Sequence, residues 1–252
     1  MKKIATLKTS EVTDLLKSIK TSLGVKTFYD YSNYLSISPY NDILLVKTYP
    51  TNSVCEFALK CENLDTEFKE VTVSAETFIN MLLSMTSEAI NIFIEEENGS
   101  KNVVVKGNGT FVFATVEGIT VPNIHMKQEA EERILTTEQV RNILTFNKSV
   151  VDLEYALDIK QKQYYFTKDN CFTFSSGACS TPLTFEEDFD LILSNDVVNL
   201  FKIFNDNVDK VFITIGYDDE DQKTIIANCD DISFITHVAI TDSLKAVSYT
   251  HL

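Results

Sequence analysis

Apolar and polar positions along the chain repeat one unit: a short strand, an amphipathic helix, then three strands separated by turns. Residues 71–115 show it most clearly. Val71 and Val73 alternate with polar neighbours as in a strand. Ser74 is a candidate N-cap whose hydroxyl can satisfy an orphan amide of the first helical turn. The helix it opens, over 75–87, carries Phe78, Ile79, Leu82, Leu83 and Met85 at spacings of three and four. Ile90, Ile92 and Ile94 alternate next. Asn98-Gly99 and Gly107-Asn108-Gly109 are turns on either side of Val103–Val105, and Phe111, Phe113 and Thr115 make the last strand.

Three more copies follow the same order. In the first, Ile4 and Leu7 mark a strand, and Ser10 can cap a helix over 11–23 with Val12, Leu15, Leu16, Ile19 and Leu23 as its stripe. Gly24 suits a left-handed C′ position. Strands are expected over 34–37, 43–48 and 54–61. In the third copy Thr136 or Thr137 caps a helix to about Val150, with Val140, Ile143, Leu144 and Val151 inward, and strands over 155–159, 164–167 and 171–175 follow. In the fourth, a strand over 189–193 leads to a helix capped by Ser194 or Asn195 that contains Val197, Val198, Phe201 and Phe204. Strands over 211–217, 224–228 and 232–238 close it. The pattern lapses in GITVPNIHMKQEAEER, which is the best domain boundary. The expected organisation is a first domain over 1–120, a linker over 121–132 and a second domain over 133–246. Each domain holds two units in an α+β arrangement, helices on one face and antiparallel sheets on the other.

Charge changes the picture. The 252 residues carry a formal net charge of −15, which by itself argues against general nucleic-acid or membrane binding. No apolar run approaches the ~20 residues of a bilayer span, and MKKIATLKTSEVTD lacks an apolar segment after its lysines. A cytoplasmic protein without a membrane partner is expected. The five cysteines, Cys55, Cys61, Cys171, Cys179 and Cys229, have neither C-x-x-C spacing nor a neighbouring histidine cluster, so reduced thiols are expected and a zinc site is not. His125, His237 and His251 lie near no nucleophile, Ser175-Ser176-Gly177 lacks the G-x-S-x-G elbow, and Gly107-x-Gly109 leads into a strand, unlike a phosphate loop. The runs Glu95–Glu97, Glu129–Glu132, Glu186–Asp188 and Asp218–Asp221 read as solvated loops and strand ends, leaving a metal-dependent hydrolase as a weaker alternative. No catalytic residue, metal site or cofactor is assigned.

The basic residues are more informative by position than by number. Lys17 and Lys20 lie on the first helix, Arg141 and Lys148 on the third, and Lys202 on the fourth, each off the apolar stripe; the second helix has none.

The order of segments ILLVKTYPTN, VTVSAETFINMLLSM, INIFIEEENGSKNVVVKGNGTFVFAT and VPNI, then LTTEQVRNILTFNKSV, CFTFSSGA, FDLILSNDVVNLFKIF, VFITIG and ISFITHVAITDSL, resembles the DNA sliding clamps. It is nearer the bacterial beta-clamp type, the beta subunit of DNA polymerase III, than the eukaryotic type. The resemblance implies a processivity factor: a closed ring, helices inside, that encircles double-stranded DNA without reading its sequence and tethers a DNA polymerase, with a clamp loader as a further partner. Lys17, Lys20, Arg141, Lys148 and Lys202 would then face the duplex. Where beta clamps carry Thr-Asp-Gly followed by His-Arg-Leu in their partner-peptide cleft, this chain has Ser175-Ser176-Gly177 followed by Ala178-Cys179-Ser180. Leu157, Ser176, Gly177 and Leu183 are the expected remnant of that cleft. Two domains suit a homotrimer, whereas a subunit with a third domain would pair as a dimer. The last residues, VSYTHL at 247–252, resemble a translated sequencing adapter, and truncation at that point is the expectation. The alternative reading is a viral-type processivity scaffold that binds a polymerase without forming a ring.

Overall fold

The computed structural model describes residues 1–24, 29–97, 99–151, 163–166, 170–174, 178–182, 191–204 and 208–238. It divides into two compact units, residues 1–123 with 230–234, and residues 124–229 with 235–252. Both are α+β.

In the first unit β1 (Lys2–Lys8) leads into α1 (Thr9–Leu23), followed by β2 (Tyr34–Tyr40), β3 (Ile43–Thr48) and β4 (Ser53–Lys60). Then come β5 (Val71–Ser74), α2 (Ala75–Ser84), β6 (Ala89–Glu97), β7 (Ser100–Lys106) and β8 (Thr110–Ala114). The two repeats exchange their first strands. β1 joins the later strands in the order β1-β6-β7-β8, and β5 joins the earlier ones in the order β5-β2-β3-β4. All pairs are antiparallel, with Leu7 opposite Ile90, Ile37 opposite Val71 and Ile92 opposite Val105.

The periodicities have their expected physical outcome. Ile90, Ile92 and Ile94 are buried while the residues between them are only partly covered. On α1 the buried stripe is Val12, Leu16, Ile19 and also Ser18 and Ser22. Ser22 tolerates burial because its Oγ bonds the Ile19 carbonyl and the Thr48 hydroxyl, each at 2.7 Å. On α2 Phe78, Ile79 and Leu82 are each 1% exposed, and Phe78 meets the Phe113 ring edge-on at 5.1 Å. Burying side chains of this size stabilises by about 1.5–3 kcal/mol each.

The helix ends differ from expectation. The N-cap of α1 is Lys8, in extended conformation, so Ser10 lies inside the first turn. Gly24 has φ −75° and closes the helix in a right-handed conformation. Ser74 is the N-cap of α2, but its side chain makes no capping bond, and the helix stops at Ser84 before Met85 turns extended.

The second unit repeats the plan: β9 (Gln128–Thr136), α3 (Thr137–Val151), β10 (Gln163–Phe166), β11 (Asn170–Phe174), β12 (Ala178–Pro182), β13 (Leu191–Ser194), α4 (Asn195–Leu200), β14 (Lys210–Tyr217), β15 (Lys223–Cys229) and β16 (Ile232–His237). A 3-10 turn, Phe201–Ile203, extends α4. The sheets run β12-β11-β10-β13 and β16-β15-β14-β9, again with exchanged first strands. Residues 128–132, where the sequence pattern lapses, form the start of β9. They pair with β14 from Tyr217↔Gln128 to Thr214↔Glu132. Among the described strands β9 pairs only with β14, and glutamates on such an edge discourage stray pairing. α3 opens with a reciprocal capping box: the Gln139 N–H donates to Thr136 Oγ1 at 3.3 Å, and the Thr136 N–H donates to Gln139 Oε1 at 2.8 Å. Ser194 caps α4 by accepting from the Val197 N–H at 3.3 Å. β12 had no sequence signal, and the strand expected over 155–159 lies outside the described residues.

Candidate nucleic-acid interface

Among the described residues no group of three or more His, Cys, Asp or Glu could hold a metal ion, and no helix is long and apolar enough to cross a membrane. The acidic run at 218–221 is partly structural. Asp218 is buried; its Oδ1 accepts the N–H groups of Glu220 and Gln222 at 2.9 and 2.8 Å, and its Oδ2 lies 2.8 Å from His237 Nε2. Burial pushes this carboxyl up, but the N–H groups of Gln222 and Glu220 and the His237 imidazole outweigh it and hold it below the usual carboxylate range. The solvated loop expected here is a hairpin tied to the end of β16.

The five basic residues all lie on exposed helix or helix-end positions. α1 packs against α2, and α3 against α4, so each unit presents a helix pair on one side of its sheets. The four helices and the turn after α4 carry Lys17, Lys20, Arg141, Lys148 and Lys202 against Glu11, Asp14, Glu76, Glu138 and Asp196. These helical segments are therefore formally neutral in sum, and the −15 of the chain comes from residues outside them. Asp196 is less acidic than usual because burial raises its carboxyl pKa.

The five cations are not equivalent. Lys17 Nζ lies 2.7 Å from Asp14 Oδ1, an exposed i,i+3 pair that offsets its charge locally. Lys20 borders a cleft of about 320 Å³ between the end of α1 and the start of α2, whose lining includes Ser32, Asn33, Ser74 and Glu76. Lys202 Nζ donates to the side-chain oxygen of Asn199 at 2.7 Å, and the same oxygen accepts from Asn147 Nδ2 at 3.1 Å. Asn147, 3% exposed, in turn accepts from the fully buried Tyr164 hydroxyl. Burial pushes the Tyr164 phenol up, so it remains a donor. Sequence reasoning missed this chain of polar groups, since Asn147, Tyr164 and Asn199 lie on three separate elements. Leu157, Ser176, Gly177 and Leu183, the expected partner-peptide cleft, lie outside the described residues.

No family model matches the sequence, and no curated protein does. Solved structures do match the architecture. The beta chain of DNA polymerase III from Streptococcus pneumoniae superposes with a TM-score of 0.73 at 17% identity, over 96% of this chain and 67% of that one. This chain has the fold of a DNA sliding clamp. The DNA polymerase sliding clamp from Bacillus subtilis gives a TM-score of 0.70 at 12% identity, covering 97% and 68%. The beta subunit from Thermotoga maritima gives 0.71 at 13%, covering 96% and 66%. The chain thus spans about two thirds of the length of these clamp structures. At such identities the likeness is one of fold.

Proposed function

We propose that the chain is a subunit of a sliding clamp, a binding protein that encircles duplex DNA and tethers a DNA polymerase, placed by a clamp loader. The observation that carries this reading is the charge distribution on the clamp fold: helices that sum to zero within a chain of −15. A surface of weak, unspecific phosphate contacts on an otherwise repelling body suits a protein that must hold DNA and still slide. Lys20, Arg141, Lys148 and Lys202 are the principal contacts, and Lys17, held by Asp14, is a lesser one. Assembly into a ring of identical subunits is supported by β8. Among the described strands β8 pairs only with β7, and its Phe111 and Val112 are 41% and 59% exposed. An open edge of this kind can accept a strand of another copy.

The test is charge reversal at Lys17, Lys20, Arg141 and Lys148 together. All four side chains are exposed, so the fold should be retained. Retention on circular DNA should fall, and the salt dependence of binding should flatten by about 0.9 per lost phosphate contact. Unchanged retention and an unchanged slope would remove the helices from the interface.

A further inference from the structure

We infer that Asn199 is a positioning residue, which aims the Lys202 ammonium outward without neutralising it. This inference rests on the function proposed above. Two lysines of the candidate surface are held by a neighbour three residues earlier in the chain, and the two neighbours differ in charge. Asp14 holds Lys17 with a carboxylate, whereas Asn199 holds Lys202 with a neutral amide at the same 2.7 Å. An ammonium has three donors. The Asn199 oxygen occupies one and leaves two, with the full positive charge, for a phosphate. A lysine acts on phosphate as a point charge on a flexible stem, so fixing that stem beforehand lowers the entropy lost on binding.

Asn199 can do this because its own amide is fixed from behind. Its oxygen also accepts from Asn147 Nδ2 at 3.1 Å, and Asn147 accepts from Tyr164. Asn147 and Tyr164 are 3% and 0% exposed, so the anchor is set in the core of the second unit. The polar chain runs from β10 through α3 to α4 and ends on an exposed cation. An aspartate at 199 would satisfy the same two donors with the same shape, and would cancel the charge.

The experiment titrates the full chain into a fluorescein-labelled duplex, read by anisotropy over a series of salt concentrations. Asn199→Asp, Asn199→Ala, Lys202→Gln and, as reference, Lys148→Gln are compared. Circular dichroism confirms folding of each. Asn199→Asp should flatten the salt slope by about 0.9, as Lys202→Gln does. Asn199→Ala keeps the charge but frees the stem, so it should keep the slope and weaken binding about two- to tenfold. If Lys148→Gln flattens the slope while Asn199→Asp does not, or if Asn199→Ala binds like the parent chain, the positioning role is overturned and the clamp reading stands. If no variant changes the slope, both fall together. The alanine arm decides alone should the aspartate variant fail to fold.

Discussion

Replacing Tyr164 by Phe removes one oxygen and leaves every packing contact in place, including the edge-on meeting with Phe146 at 6.0 Å. The Asn147 oxygen is then buried without its donor. Such an orphaned acceptor costs about 1–3 kcal/mol. At roughly 4 °C per kcal/mol for a domain of about a hundred residues, the second unit should melt ~4–12 °C lower. Asn147→Leu strands the phenol instead and should cost a similar amount. The double variant leaves neither group unpaired, so it should cost less than the sum of the single changes by about 1–3 kcal/mol. The chain has no tryptophan, so urea unfolding is followed by far-UV circular dichroism, with the later and earlier transitions fitted separately. A Tyr164→Phe loss below about 0.5 kcal/mol, or strict additivity in the double variant, would falsify the claim that this pair is a satisfied buried hydrogen bond.

Two further outcomes are expected. Asp218 has a lowered carboxyl pKa in the folded chain, so the native state binds fewer protons than the unfolded one, and its contribution is present above about pH 4 and lost as pH falls through the folded value. Melting temperature measured against pH should therefore decline less steeply on the acid side in Asp218→Asn, and an unchanged acid limb would refute the assignment. A Cβ added at Gly107 would stand 2.6 Å from Met85 Sδ and closer still to Ser87 Oγ, which is itself held by the Ala89 carbonyl at 3.0 Å. Gly107→Ala should thus destabilise the first unit by about 1–3 kcal/mol in a denaturant titration, and a neutral result would mean that Met85 yields freely.

The elements were legible because most of them carry their own period. The isoleucines at 90, 92 and 94 read as a half-buried strand, and the stripe from Val12 to Leu23 as a helix, without reference to anything distant. β9 was hidden because its glutamates obey the chemistry of an edge rather than of a core. β12, with Cys179, Ser180 and Thr181 between Ala178 and Pro182, has too little apolar alternation to stand out. Gly24 misled because glycine permits a left-handed ending without requiring one. The exposed positions of the five cations followed from helical spacing alone. Their unequal holding did not, since Asn199, which holds Lys202, is itself fixed by Asn147 of α3 and, beyond it, by Tyr164 of β10.

The exchange of first strands sets an order of events during synthesis. β1 is made well before its partners, which run from Ala89 opposite Lys8 to Ile94 opposite Lys2. At translation rates of about 5–20 residues per second, the N-terminal strand waits roughly 4–18 s for the strand that receives it. β2, β3 and β4 can zip together meanwhile through their short turns. The earliest strand of this unit is thus among the last to be placed, and the first unit closes only when its second repeat has emerged.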